Sequence, residues 1–501
     1  MTVLPSHHPT LTTTTTKPDM PHYQKHSPRS TVAAATTATR THFSFFSPKL
    51  SVYLCSICVT LFILFHIKIL QTPLPSSQTS LSFLQTWQEK LTNNDESDSC
   101  THDVSTMADR LRESVTFLPL KDLRFANAAL VGHTWFMSSL YDTHEEGEVQ
   151  YQQFPSKSSD GRILCIKGRD THDGSWNYYG LAYPGFLPKN ATLVSGRTFV
   201  SYNHYDYGNI WHGLSALVPF VAWHLKSECA TPDRWILYHW GEVRKGMSPW
   251  LSTLMDATFN GPLNIEQFDD SSYDDSPMCY EEAVVMRHNE GGMSRQKRME
   301  VYDLIRCKAR TMCGVELDRT DNEIRLTLFM RTGPRSFRNE TGVVEIFERE
   351  CKKVENCRLK VAYSSNLTVC EQVKLMASTD ILVSPHGAQL TNMFLMDRNS
   401  SVLEFFPKGW LKLAGVGQLV YRWMGSWSGM RHQGTWHDTE GDPCPFPEDD
   451  RRCMSVYKNG RIGYNSTYFA EWASKVLDEV KTRKSDETAK GNKVPTKCAC
   501  S

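Results

Sequence analysis

The chain has 501 residues, 40% hydrophobic and 22% charged, so most of it folds around apolar cores rather than staying disordered. Lys plus Arg and Asp plus Glu balance at 55 each; a chain with no net charge has no general attraction to nucleic acid, which excludes that class of partner. The length predicts ~2 to 3 domains.

Residues 1–49 ("LTTTTTKPDM", "TVAAATTATR") are rich in Thr, Ala, Pro and His, cannot bury a core, and read as a disordered cytosolic tail. "LSVYLCSICVTLFILFHI", residues 50–67, carries no formal charge between Lys49 and Lys68. At a helical rise of ~1.5 Å it spans roughly 27 Å, enough for a signal anchor assigned to 50–70. A cleaved signal peptide lacks its small-residue cleavage site here. Lys17, Lys25, Arg29, Arg40 and Lys49 precede the span, whereas acids dominate after Lys68, so the C-terminal part is expected in the lumen, as in a single-pass type II membrane protein. Five N-x-Ser/Thr sequons, at Asn190, Asn339, Asn366, Asn399 and Asn465, all follow the span. So do 13 of the 15 cysteines, an odd number that an oxidising compartment pairs in part, for instance Cys351 with Cys357.

Residues 71–100, rich in Ser, Thr, Pro and acid, read as a stem. From 101 to 315, short strand patterns lead into helical ones ("TLVSGRTFVSYN", "RWILYHW"), closing with a helix over 295–311, and define an N-terminal α/β domain. From 316 to 490 the alternation is cleaner. Strands are predicted at 323–330, 358–363, 380–384 and 401–406, with helices at 342–351, 368–378 and 468–484 and a short one near Gln389. That is a βαβ series, hence a mostly parallel sheet. Residues 491–501 form a tail, and the aromatic stretch 422–440 reads as loop-like.

In such a sheet ligands sit where strands end and helices begin. "SPHGAQLTNMFL", residues 384–395, lies at that junction: Gly387 and Ala388 let backbone amides approach a phosphate, with Thr391 and Asn392 one turn in and Glu404 ending the next strand. A tight capped turn is the plain alternative. "FMRTGPRSFRNE" puts Arg331, Arg335 and Arg338 at the same sheet edge, where guanidiniums suit a diphosphate; a solvated basic loop is the alternative. No two aspartates stand two apart, so no D-x-D motif offers itself to a metal-bound diphosphate; the acidic cluster 267–275 reads as a solvated loop.

"TDILVSPHGAQLTNMFLMDRNSSVLEFFP" and "RTGPRSFRNE" together resemble glycosyltransferase family 61, and "NIWH" at 209–212 is similar to its N-terminal element. The resemblance implies a GT-B architecture, two Rossmann-like domains facing across a cleft, here behind the transmembrane helix and stem. It implies inverting transfer from a UDP-sugar to a glycan, polysaccharide or glycoprotein acceptor in the Golgi, with the ER as alternative. Xylose or arabinose is the expected sugar and GlcNAc the alternative, with no cofactor and no metal. His386, Gly387, Ala388, Leu390, Thr391 and Asn392 would cradle the donor, Arg331 and Arg335 hold its diphosphate, and Glu404 meet the ribose. Asn339, inside the family segment, is expected to be buried in function; Asn190, Asn366, Asn399 and Asn465 remain the glycosylation candidates. His212 is the candidate base, with a packed core histidine as alternative. Family members commonly place an acid four or five residues later; here stand Ala216 and Leu217, and Asp206 is the candidate substitute. The missing acid motivates a rival reading, an inactive donor-binding scaffold of a glycosyltransferase complex. Whether the chain forms homo- or hetero-oligomers is left open, and the tryptophans and histidines of 422–440 suit either an acceptor platform or simple burial.

Overall fold

The computed structural model describes residues 100–119, 145–168, 177–203, 206–239, 242–266, 276–287, 292–315, 322–490 and 497–500. The expected tail, anchor and nearly all of the stem lie outside the described residues, as does the cluster 267–275. Among the described residues, no helix is long and apolar enough to cross a membrane. Residues Asp98–Ser501 form one compact unit.

The first sheet takes its strands from β1 (Leu118–Pro119), β2 (Gln152–Phe154), β3 (Ile163–Lys167), β4 (Tyr178–Ala182), β5 (Thr192–Asn203), β6 (Arg234–His239), β7 (Glu242–Arg244) and β8 (Met278–Arg287). Helices α1 (Cys100–Glu113), α2 (Ile210–Lys226), α3 (Pro249–Phe259) and α4 (Arg295–Met312) accompany them. The order is β1-β4-β3-β8-β5-β6-β7, with β2 pairing β8. Only β8, β5 and β6 run parallel; β3, β4, β1, β2 and β7 join antiparallel. This mixed α/β sheet keeps a parallel centre, β8-β5-β6, with antiparallel strands beside it. The physical reason is connection length: β6 and β7 are two residues apart, which permits only a hairpin, whereas α2 supplies the crossover from β5 to parallel β6.

The second sheet is the βαβ series legible in the sequence: β9 (Ile324–Met330), α5 (Glu340–Lys352), β10 (Cys357–Tyr363), α6 (Val369–Ala377), β11 (Ile381–Pro385) and β12 (Ser401–Phe406). After it come α7 (Trp410–Leu413), α8 (Val420–Ser428), β13 (Arg431–His437), α9 (Asp450–Asn459) and α10 (Ser466–Lys490). The order is β10-β9-β11-β12-β13, every pair parallel. Two expectations are corrected. The short helix after β11 is a 3-10 helix, Ala388–Leu395, and the stretch 422–440 is mostly α8 and β13 rather than loop. Its sequence misleads because β13, "RHQGTWH", lies at the sheet edge, where polar residues are tolerated.

Side chains of the second sheet alternate. Ile324, Leu326, Leu328, Val383, Leu403 and Phe405 join one apolar cluster with Phe347, Phe469, Trp472 and Val476 of α5 and α10. Phe329, Leu382 and Val402 face the other way, into a cluster with Leu390, Met393 and Phe394 of the 3-10 helix that continues through α4, α3 and α2. One core therefore runs from the helices of the first sheet to the loop after β11. Disulfide Cys313–Cys370 reinforces this join, and Cys229–Cys500 and Cys307–Cys498 tie down the C-terminal end. Cys165–Cys279, Cys351–Cys357 and Cys444–Cys453 complete the set, so every cysteine from Cys165 onward is paired.

Candidate functional site

In the second sheet β9 and β11 are neighbours although β10 lies between them in sequence, so the crossover direction reverses there. At such a switch point the loops leaving two adjacent strands diverge and open a crevice at their C-terminal ends. Arg331 follows β9 directly, and His386 follows β11 directly.

His386 is 6% exposed and its amide donates to Phe405 O at 2.8 Å, so that N–H is taken by the sheet rather than open to a phosphate as expected. Among the described residues, the amides of Gly387 and Ala388 donate to no acceptor. A Cβ on Gly387 would overlap Arg331 Nη1 and Gln389 Oε1; glycine is what lets the guanidinium lie against the loop. Gln389 is fixed from below, donating to Pro385 O at 2.7 Å and Ser384 Oγ at 3.3 Å.

The His386 ring stacks on Phe406 (centroids 4.6 Å apart) and is flanked by Trp410 at 5.5 Å and Tyr421 at 5.3 Å. Its Nδ1 lies 2.6 Å from Glu404 Oε1, and Oε2 of the same carboxylate lies 2.8 Å from His432 Nε2. An ionised carboxylate only accepts, so both ring nitrogens carry hydrogens. Burial pushes the Glu404 carboxyl up, but the hydrogen bonds from His386 and His432 outweigh it and hold it below the ordinary range. Glu404 is 0% exposed with both oxygens engaged. The structure thus gives it imidazole partners in place of the expected ribose hydroxyls.

Arg331 and Arg335 form the cationic wall. Arg331 Nη1 makes only long contacts, 3.3 Å to His386 O and 3.4 Å to Gln389 Oε1, and Arg335 Cζ lies 5.4 Å from the Trp410 ring centre. Both Nε atoms are buried without a hydrogen-bond partner. Among the described residues neither guanidinium pairs with a carboxylate. Burial lowers the pKa of both, and the charge of Arg331 helps bring Arg335 to about 10. Arg338 is different: it pairs with buried Asp438 at 2.8 Å and belongs to the framework. Two half-buried cations without counter-ions, beside unclaimed amides, form a site that an anion completes.

Residues 211–403 match the family model described as Glycosyltransferase 61. The match supports assignment to glycosyltransferase family 61. No curated protein matches it. The family 61 match takes in Arg331, Arg335 and the 386–392 loop and stops one residue short of Glu404.

Three residues expected to cradle a donor are placed inside the core instead. Leu390 is fully buried in the cluster shared with α4. Asn392 is fully buried: its Oδ1 accepts from Trp250 Nε1 at 2.9 Å, and its Nδ2 donates to Gln372 Oε1 and Gln389 O, each at 3.0 Å. It fastens the 3-10 helix to α3 and α6. Thr391 is also buried; its hydroxyl completes no hydrogen bond of normal geometry and sits close to that of Tyr421.

His212 lies in the first turn of α2, capped by Asn209, whose Oδ1 accepts from Trp211 N at 3.0 Å. Half-buried Trp211 meets Tyr421 edge-on at 5.6 Å, so the "NIWH" turn reaches the ring that also touches His386. Asp206 does not bond His212. It faces Arg244 at 3.8 Å, which corrects the expectation that it substitutes for the missing acid. The tryptophans of 422–440 do not form one platform: Trp436 enters the core, while Trp423 and Trp427 stack at 6.3 Å on α8. Sequence reading missed Tyr421, Trp410 and Phe406, and offered His432 only as one of the histidines of 422–440, without its contact to Glu404. Asn190, Asn366, Asn399 and Asn465 are exposed. Asn339 is exposed too, and what engages it is not burial but its capping bond from Gly342 N at 2.9 Å.

Proposed function

We propose that this family 61 glycosyltransferase moves a sugar from a UDP-sugar with inversion, and that Arg331 and Arg335 receive the diphosphate against the amides of Gly387 and Ala388. The observation that carries this reading is the pair of half-buried guanidiniums without carboxylate partners at the switch point of a parallel sheet. The acceptor hydroxyl attacks the anomeric carbon from the face opposite UDP and gives its proton to His212. The bond from that carbon to the phosphate oxygen breaks, and UDP leaves with the electron pair, its growing charge met by the two guanidiniums and His386. One preorganised donor to such a charge is worth ~10²–10³ in rate, which removes the need for a metal to neutralise UDP. A pentose, xylose or arabinose, is the sugar we favour over GlcNAc, with a matrix polysaccharide rather than a glycoprotein as acceptor. The type II anchor over 50–70 and residence in the Golgi lumen belong to the same proposal and rest on the sequence.

A second reading, a donor-binding scaffold without turnover, is motivated by Ala216 and Leu217, which stand where members of the family commonly place an acid. Turnover of UDP-xylose, UDP-arabinose and UDP-GlcNAc by the full-length protein separates the two. Under the transferase reading at least one donor is consumed, and His212→Ala lowers its turnover by about 100-fold or more while UDP binding persists. Binding with no turnover of any donor would leave the scaffold.

A further inference from the structure

His432 lies on β13, outside the family match, and the sequence offers it only as one of the histidines of 422–440. Its two ring nitrogens are nevertheless both assigned by geometry. Nε2 faces Glu404 Oε2 at 2.8 Å and must donate, because an ionised carboxylate only accepts. Nδ1 receives the Gly434 N–H at 3.3 Å and must accept. A ring that donates at one nitrogen and accepts at the other is neutral. The single negative charge of Glu404 is therefore left to one partner, the Nδ1–H of His386 at 2.6 Å. Among the described residues, His386 Nε2 has no hydrogen-bond partner.

The other ionisable groups around His386 do not compete for that charge. Arg331 and Arg335 lie on the loop after β9, and Tyr421 on α8 is an acid that burial keeps protonated. His437, behind Phe406 on β13, is kept neutral by burial, with its Nε2 placed 3.0 Å from Thr435 Oγ1.

We propose that His432 is a positioning residue: it orients Glu404 as an ion so that Glu404 holds His386 as an imidazolium, whose Nε2–H then donates to the anionic group of the donor nucleotide. This inference rests on the donor-site reading above and deepens it, giving nucleotide binding a proton requirement. Its sign follows from the donor role: binding needs the hydrogen on Nε2, so affinity is expected to fall as pH rises.

The test is calorimetric binding of UDP to the full-length protein from about pH 6 to about pH 9. The wild type is expected to lose affinity over the alkaline part of that range. His432→Leu leaves Glu404 one donor short in a fully buried position, which draws the shared proton from His386 onto the carboxylate, so affinity is expected to fall roughly tenfold near pH 8. His432→Gln, whose Nε2 amide offers a donor at similar reach, is expected to restore the wild-type profile. ¹⁵N spectra of histidine-labelled wild-type protein check the same point without substitution, with His432 expected as the neutral Nε2–H tautomer. A His432 signal from the other tautomer or from an imidazolium overturns the inference, as does a wild-type affinity flat across the range. If His432→Leu folds, an unmoved profile overturns it too. These outcomes leave the donor site standing, whereas absence of UDP binding by the wild type at every pH would bring down both.

Discussion

Replacing Asn392 by alanine is expected to destabilise the protein by about 3–5 kcal/mol. The side chain is fully buried and makes three bonds at 2.9, 3.0 and 3.0 Å, to Trp250 Nε1, Gln372 Oε1 and Gln389 O. Alanine leaves one buried donor and two buried acceptors without partners, at ~1–3 kcal/mol each before relaxation or water entry recovers part. Because Trp250 lies on α3 and Gln372 on α6, the loss is felt across the join between the two sheets. Urea unfolding of the full-length protein measures it, and a cycle with Trp250→Phe isolates the Trp250–Asn392 bond, for which a coupling of about 1–2 kcal/mol is expected. UDP affinity distinguishes this account from the sequence expectation that Asn392 touches the donor. If Asn392 acts through packing, Trp250→Phe lowers affinity in the same proportion to its stability loss. A tenfold loss of affinity in Asn392→Ala with stability changed by less than about 0.5 kcal/mol would refute the reasoning.

Arg335→Met is expected to stabilise the unliganded protein, on the order of 1 kcal/mol, while abolishing UDP-induced stabilisation. The sign follows from a folded pKa of about 10, below the ordinary arginine value of 12.5: the unfolded chain binds this proton more tightly, so the charge opposes folding throughout neutral pH. Thermal unfolding with and without UDP reads both effects. Replacing Cys313 and Cys370 by serine opens a 57-residue separation and is expected to cost ~4 kcal/mol by loop entropy, seen as a lower urea midpoint; a change under ~1 kcal/mol would show that the join does not depend on it. Glycopeptide mapping of the secreted or membrane protein is expected to find glycans at Asn190, Asn366, Asn399 and Asn465 and none at Asn339. Asn339→Ala separately costs about 1 kcal/mol, the usual worth of an N-cap.

The second sheet was legible because each strand and helix carries its own period: "EIRLTLFM", "RLKVAY" and "SVLEFF" are flanked by turns, and in the structure Thr368 with Glu371 caps α6. Arg331, Arg335 and His386 were legible for the same reason, since a strand end fixes where the next residues emerge. What was not legible lies one neighbour away in space. His432 meets Glu404 only because β13 docks beside β12 with a shifted register, a long-range fact that no local pattern encodes. Asn392 shows the converse failure: a polar residue beside a glycine-containing loop reads as a ligand contact until Trp250, 142 residues away, is seen to claim it. In the first sheet a short connection, not a strand's own composition, decides which strands run antiparallel.

UDP binding by the full-length protein carrying Arg331→Ala together with Arg335→Ala, set against the wild type by calorimetry at neutral pH, probes the site most directly. The wild type is expected to bind and the double variant to bind at least about 100-fold more weakly, two charge-assisted contacts being gone. Equal affinity in the two proteins would mean that the pyrophosphate rests elsewhere and that these guanidiniums do not hold the donor.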